Sequence, residues 1–244
     1  MAPGLLETLV GAFDRAGWDL GAWGLAWARF APALALVPAF GLRALPTPVR
    51  IALGLSLALS IAPALEPITH SGRPWILLLA IEFAKGVPVA LSTAALLWVA
   101  TMAGGAIDDL RGGREASLMP SVEEGATPSG ALLAMLAAIL FLESGGPARV
   151  AAALADPQLD YAAPLARAGH NLAASVELAL AVAAPVLAAS IVVELASALI
   201  ARAATPAFIQ PLLAPLRSLV LLAVAALALD RMVELLAGGV AGVP

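Results

Sequence analysis

From Gly86 to Ile107, 22 consecutive residues carry no charged side chain. A helix of that length spans about 33 Å at 1.5 Å per residue, and the hydrocarbon core of a bilayer is about 30 Å thick. Few soluble folds have room to bury such a run. The rest of the chain points the same way: 61% of its residues are hydrophobic, 12% are charged, and the mean hydropathy is +0.96. Soluble domains carry about 25% charged residues, and a 244-residue globule with half that share would expose aggregating apolar patches. The chain reads as a membrane or membrane-associated assembly protein.

Its elements read as helices. Alanine and leucine dominate, aromatics are sparse, and the alternation of about ten residues that marks barrel strands is absent. Six apolar blocks stand out, at about 20–42, 49–65, 74–107, 128–143, 171–203 and 211–238. The expected class is therefore all-α, built from membrane-associated helical hairpins. Several blocks fit an ordinary span badly. Block three would run about 50 Å as one helix, blocks two and four are short, and the stretch after block four is polar and carries Pro147, Pro157 and Pro164. Block five has a charge-free centre flanked by Glu177 and Glu194, and a carboxylate facing lipid costs several kcal/mol. These helices are expected to cover their polar groups against protein or a water-filled lumen, which favours a subunit of a larger assembly.

"DDLRGGREASLMPSVEEG", residues 108–125, interrupts this pattern with acids, arginines and glycines. Asp108 and Asp109 are adjacent, and adjacent residues do not face each other on a helix, so a catalytic carboxylate dyad is a poor reading. Other enzymatic chemistry lacks its parts. The one lysine, Lys85, precedes Gly86 and Val87 and completes no phosphate-binding loop. His70 and His170 sit in polar connections with no likely ligand near them, and the absence of cysteine removes thiolate sites. A net charge of −4 argues against a nucleic-acid partner. No cofactor or metal is expected. The opening "MAPGLLETLVGAFDRAG" has no basic region and is interrupted by Glu7 and Asp14, so it does not read as a cleaved signal peptide.

The embedded charges carry two readings each. Glu82 and Lys85, spaced i,i+3, can form a neutralised pair on one helix face, or mark a proton or ion relay. Arg29, Glu194, Arg202 and Arg217 can meet neighbouring subunits or lie at helix ends, snorkelling to the interface. Asp230, Arg231 and Glu234 read as a solvated helix end.

The order of features resembles a known family. "ARFAPALALVPAFGLRALPTPVRIALGLSLALSIAP" (28–63) joins an arginine-bearing helix, spaced prolines and a second helix. "IEFAKGVPVALSTAALLWVATMAGGAIDDLRGG" (81–113) places a glycine four residues after an acid, then a long apolar helix ending in Gly-x-x-Asp and glycine. "FLESGGPARVAAAL" (141–154) supplies a Phe-Leu helix end with a Gly-Gly turn, and "LALAVAAPVLAASIVVELASALIARAATPAFIQPLLAPLRSLVLL" (178–222) a proline-bearing helix and hairpin. Together, over about 20–235, these resemble the FliR/SctT family, the export-gate subunits of flagellar and injectisome type III secretion systems.

The resemblance implies one copy in a closed helical ring with several FliP/SctR- and FliQ/SctS-like subunits. It implies an FlhB/SctU-like export switch nearby, secreted polypeptides as cargo, and a place in or at the lipid bilayer of the bacterial inner membrane. It implies a FliP-like part over 1–170, containing the central loop 108–125, and a FliQ-like hairpin over 171–244. Arg29, Glu82, Lys85, Asp108, Glu177, Glu194 and Arg202 then become candidate buried charges at subunit contacts. Residues Gly112 to Glu124 map onto the segment that plugs the closed pore. Gly112 and Gly113 would give it backbone freedom, Leu118, Met119 and Pro120 would seal, and Glu123 and Glu124 would stay wet. A solvent-exposed connection is the alternative for this segment. For the whole chain the alternative is a self-contained secondary transporter of a small solute. Pro88 and Pro185 each break an apolar run, although the two halves do not match as internal repeats would.

Overall fold

In the computed structural model, residues 19–40, 46–65, 74–113, 127–156, 162–203 and 210–242 are described, and every element among them is helical. The first helix, α1 (Leu20–Leu36), starts at Asp19, whose carboxylate accepts the backbone N–H groups of Gly21 and Ala22. It stops short of the expected residue 42 because Val37 precedes Pro38 and takes an extended conformation, as residues before proline do. Helix α2 (Thr47–Ile61) has a proline in its first turn and closes in a 3₁₀ turn over Ala62–Ala64.

Helix α3 (Trp75–Arg111) is continuous through its 37 residues despite Pro88. It spans about 55 Å. Its C-terminus is closed by Gly112, at a φ of 80° in the left-handed region that glycine enters without penalty. Helix α4 (Pro128–Glu143) begins with Thr127 as cap and a proline in its first turn. Gly145, at a φ of 72°, turns the chain into a short helix α5 (Gly146–Leu154), and the pair is bent by 65°. The polar stretch read after residue 143 is thus partly helical. Its large apolar residues are few but well placed: Val150 and Leu154 are buried, one turn apart on one face.

Helix α6 (Ala162–Ala203) runs 42 residues through Pro185, so residue 170 lies inside it. Block six divides at Ala228 into α7 (Gln210–Leu227) and α8 (Leu229–Ala241). Among the described residues the α3 and α6 helices are long and apolar enough to cross a membrane, and the bent α4–α5 pair is apolar enough when taken together, as a broken span or a re-entrant loop.

Helix α3 is the axis of the molecule and packs against α1, α4 and α6. Its buried face is made of small residues, including Gly86, Ala90, Ala94, Ala100 and Gly104, which lets neighbouring backbones approach closely. Larger side chains fill the space beside it: Phe40 meets Phe30 and Phe141 edge-on, each at a centroid distance of 5.7 Å. The outward faces are also apolar. Leu172, Val176, Leu180, Ile191, Val192, Leu195 and Leu199 are exposed on α6, as are Leu216 and Leu219 on α7.

Candidate functional site

Two polar contacts organise α3, and each pairs an acid with a glycine four residues away. That spacing puts both on one helix face, one turn apart. At the first, the Glu82 carboxylate accepts the Arg29 Nε–H at 2.6 Å and the Lys85 ammonium at 2.8 Å. The Arg29 side chain is 4% exposed and that of Glu82 13%. Arg29 also donates through Nη1 to the carbonyls of Leu154 and Asp156, at the end of α5. Gly86 makes the contact possible, since a β-carbon there would fall 2.0 Å from the Arg29 carbonyl oxygen.

At the second contact, Asp108 is fully buried. Its Oδ2 accepts the Ser129 backbone N–H at 2.7 Å, and its Oδ1 accepts the Ser129 hydroxyl and the Arg111 Nε–H, each at 2.6 Å. Gly104, four residues earlier, sits where a β-carbon would come within 2.4 Å of the Gly130 Cα and N. The acid–glycine pair is thus one device used twice: glycine brings a second backbone to the helix surface, and the acid fastens what arrives.

The expected Glu82–Lys85 pair therefore forms, and Arg29 joins it from α1. Arg29, Glu82, Lys85 and Asp108 all find partners within the chain. The charges of the hairpin are placed differently. Glu194 accepts Arg217 Nη2 across the α6–α7 pair at 2.6 Å and remains 58% exposed. Glu177 and Arg202 are exposed on α6. Around Glu194 and Arg217, the residues Ser197, Ala198, Ala201, Leu213 and Ala214 line an open groove of about 340 Å³. Arg231 and Glu234 pair on the exposed face of α8, as a solvated helix end should.

Of the candidate plug residues, Gly112 and Gly113 follow the last turn of α3, where Gly113 N–H donates to the Asp108 carbonyl at 2.9 Å. Leu118, Met119, Pro120, Glu123 and Glu124 lie outside the described residues. Sequence reasoning missed Ser129, although Thr127 and Pro128 beside it are a cap and a first-turn proline that announce a helix start. It also missed Arg149, whose guanidinium binds Ser144 Oγ and the Val240 and Ala241 carbonyls, tying α5 to the end of α8. Among the described residues no three His, Cys, Asp or Glu side chains converge to hold a metal ion.

Long apolar helices around a small-residue axis, with charges fastened in pairs, define an integral membrane protein of the helical-bundle class. Over residues 20–242 the sequence matches the family model for bacterial export proteins, family 1. The chain belongs to this family, the FliR/SctT family of bacterial export components. Among curated proteins, none matches it.

Proposed function

We propose that this chain is the export-gate subunit of a type III protein secretion apparatus, flagellar or injectisome. One copy joins several FliP/SctR- and FliQ/SctS-like subunits in the bacterial inner membrane, beside an FlhB/SctU-like switch, and secreted polypeptides pass through the assembly. Residues 1–170 act as the FliP-like part and 171–244 as the FliQ-like hairpin. Residues 112–124 plug the closed pathway. The chain itself performs no catalysis.

Family membership supports the export role, and one observation carries the assembly reading. Glu177 is exposed on α6 beside Val176 and Leu180, which are exposed as well. A carboxylate facing lipid there costs several kcal/mol; facing another polypeptide it can be paired or hydrated. The outward face of α6 is thus suited to a protein neighbour.

The test is co-expression with the neighbouring genes, isolation through this chain in detergent, and native mass spectrometry of what accompanies it. Several copies of two other small hydrophobic proteins per copy of this one are expected. A clean monomer or homodimer that binds a small solute would overturn the proposal in favour of a transporter.

A further inference from the structure

We propose that the groove between α6 and α7 around Glu194 and Arg217 is a binding site for a zwitterionic phospholipid, and that it selects a phosphoethanolamine headgroup.

The place of the pair along the hairpin is the first support. From Leu178 to Val193, α6 carries no charge over 16 residues, and Glu194 is the first charged side chain after that run. The run covers about 24 Å as helix, most of a hydrocarbon core about 30 Å thick. Glu194 and Arg217, bonded across the hairpin at 2.6 Å, therefore stand where polar side chains reach the headgroups. Around them Ile191, Leu195 and Leu199 on α6 and Leu216 and Leu219 on α7 are exposed, a surface that acyl chains can cover.

The bonding of the pair is the second. Of the three guanidinium nitrogens of Arg217, only Nη2 donates to an acceptor among the described residues, and Nε is buried with none. Glu194 accepts through Oε1 alone, and its side chain stays 58% exposed. Arg217 Nη1 and Glu194 Oε2 are thus an open donor and an open acceptor side by side. A ligand that fills both must carry an anion and a hydrogen-bonding cation close together. A phosphate beside Arg217 and an ammonium beside Glu194 close a ring of four alternating charges. Charge-assisted bonds of this kind are the strong ones.

The same chemistry disfavours other headgroups. A phosphate without a cation leaves Glu194 beside a second negative charge. A choline brings a cation with no N–H to donate. The described residues lining the groove besides the pair are serine, alanine and leucine, with no aromatic face of the kind that holds a quaternary ammonium. The groove volume of about 340 Å³ lies at the lower end of ligand sites; it accommodates a headgroup and leaves the acyl chains outside. The site is also separate from the α6 face offered to a protein neighbour. Glu177 precedes Glu194 by 17 residues, about 25 Å along the helix and roughly a quarter-turn round it.

The test isolates the chain from membranes in detergent, with whatever subunits accompany it. It is titrated with phosphatidylethanolamine, phosphatidylcholine or phosphatidylglycerol of identical acyl chains, and native mass spectrometry counts the lipid retained. Phosphatidylethanolamine should bind roughly tenfold more tightly than the other two, the shift expected from one hydrogen bond to a charged group. Arg217→Gln and Glu194→Gln should each abolish the preference. Both side chains are partly exposed, and such pairs contribute little to folding, so these variants remain informative. Ala198→Leu fills the groove without touching either charge and should lower phosphatidylethanolamine retention to that of the other lipids.

Equal retention of the three lipids by the unaltered protein would overturn the proposal. So would a preference that survives both Arg217→Gln and Ala198→Leu. If Ala198→Leu instead releases an accompanying subunit while lipid retention stays the same, a partner helix fills the groove and the lipid site is overturned.

Discussion

Replacing Glu82 by alanine strands a buried guanidinium. The Arg29 side chain is 4% exposed, so it cannot turn to water without opening the α1–α3 contact. Breaking a buried ion pair from one side costs about 3–5 kcal/mol. Arg29 keeps its bonds to the Leu154 and Asp156 carbonyls, which places Glu82→Ala at the lower end, about 3 kcal/mol. For a chain of this size each kcal/mol moves the unfolding midpoint by about 2–4 °C, so the expected shift is roughly 6–12 °C downward. Lys85→Ala leaves the Arg29–Glu82 pair intact and removes an ammonium that is 22% exposed; its cost stays below about 1 kcal/mol. The double change Arg29→Met with Glu82→Met removes both buried charges. What remains is the loss of two bonds to backbone carbonyls, about 1–3 kcal/mol, so the double variant should be no worse than Glu82→Ala alone. The midpoints are read from tryptophan fluorescence of the purified protein on heating in detergent. Equal losses for Glu82→Ala and Lys85→Ala would refute the reasoning, as would a double variant clearly less stable than Glu82→Ala.

Two further predictions follow from the same kind of contact. Gly86→Ala sets a β-carbon 2.0 Å from a backbone oxygen that no rotamer can move aside; a loss at or above the 1–3 kcal/mol (about) typical of overpacking is expected in the same assay. Arg149→Gln releases the Val240 and Ala241 carbonyls from the guanidinium; limited proteolysis should then trim α8 faster while the midpoint of the bundle moves little, and unchanged trimming would remove Arg149 as the anchor of that helix.

The helices were legible in the sequence because apolar length is a local signal. The charge-free run from Gly86 to Ile107 lies wholly inside α3, and block four coincides with α4. Pro88 and Pro185 looked like breaks, yet both sit within continuous helices; neighbouring helices can compensate the lost bond in such bundles. Of the polar contacts, the i,i+3 pairs could be read directly: Glu82 with Lys85 was, and Asp108 with Arg111 and Arg231 with Glu234 share that spacing. Arg29 lies 53 residues from Glu82 and Ser129 lies 21 from Asp108, and nothing periodic connects them. Ser129 contributes a hydroxyl and a backbone N–H, which composition does not reveal as partners of an acid. Helix α5 was hidden because its nine residues bury only Gly146, Val150 and Leu154, too few to register as an apolar block. The family's glycines and acids were visible as letters in order; that they work as pairs required the fold.

Gly86 and Gly104 are eighteen residues apart on α3, five full turns, which returns them to nearly the same side at a separation of about 27 Å. That distance is close to the depth of a bilayer's hydrocarbon core, about 30 Å. Glu82 and Lys85 lie just beyond one glycine, Asp108 and Arg111 just beyond the other. The helix is therefore graduated like a gauge, with an apolar interval bracketed by fixed marks, and its charges travel as rigid fixtures at either end. Lipids of different chain length would load those marks unequally, so that membrane thickness itself becomes a variable acting on the Asp108–Ser129 contact at one end and on the α1 contact at the other.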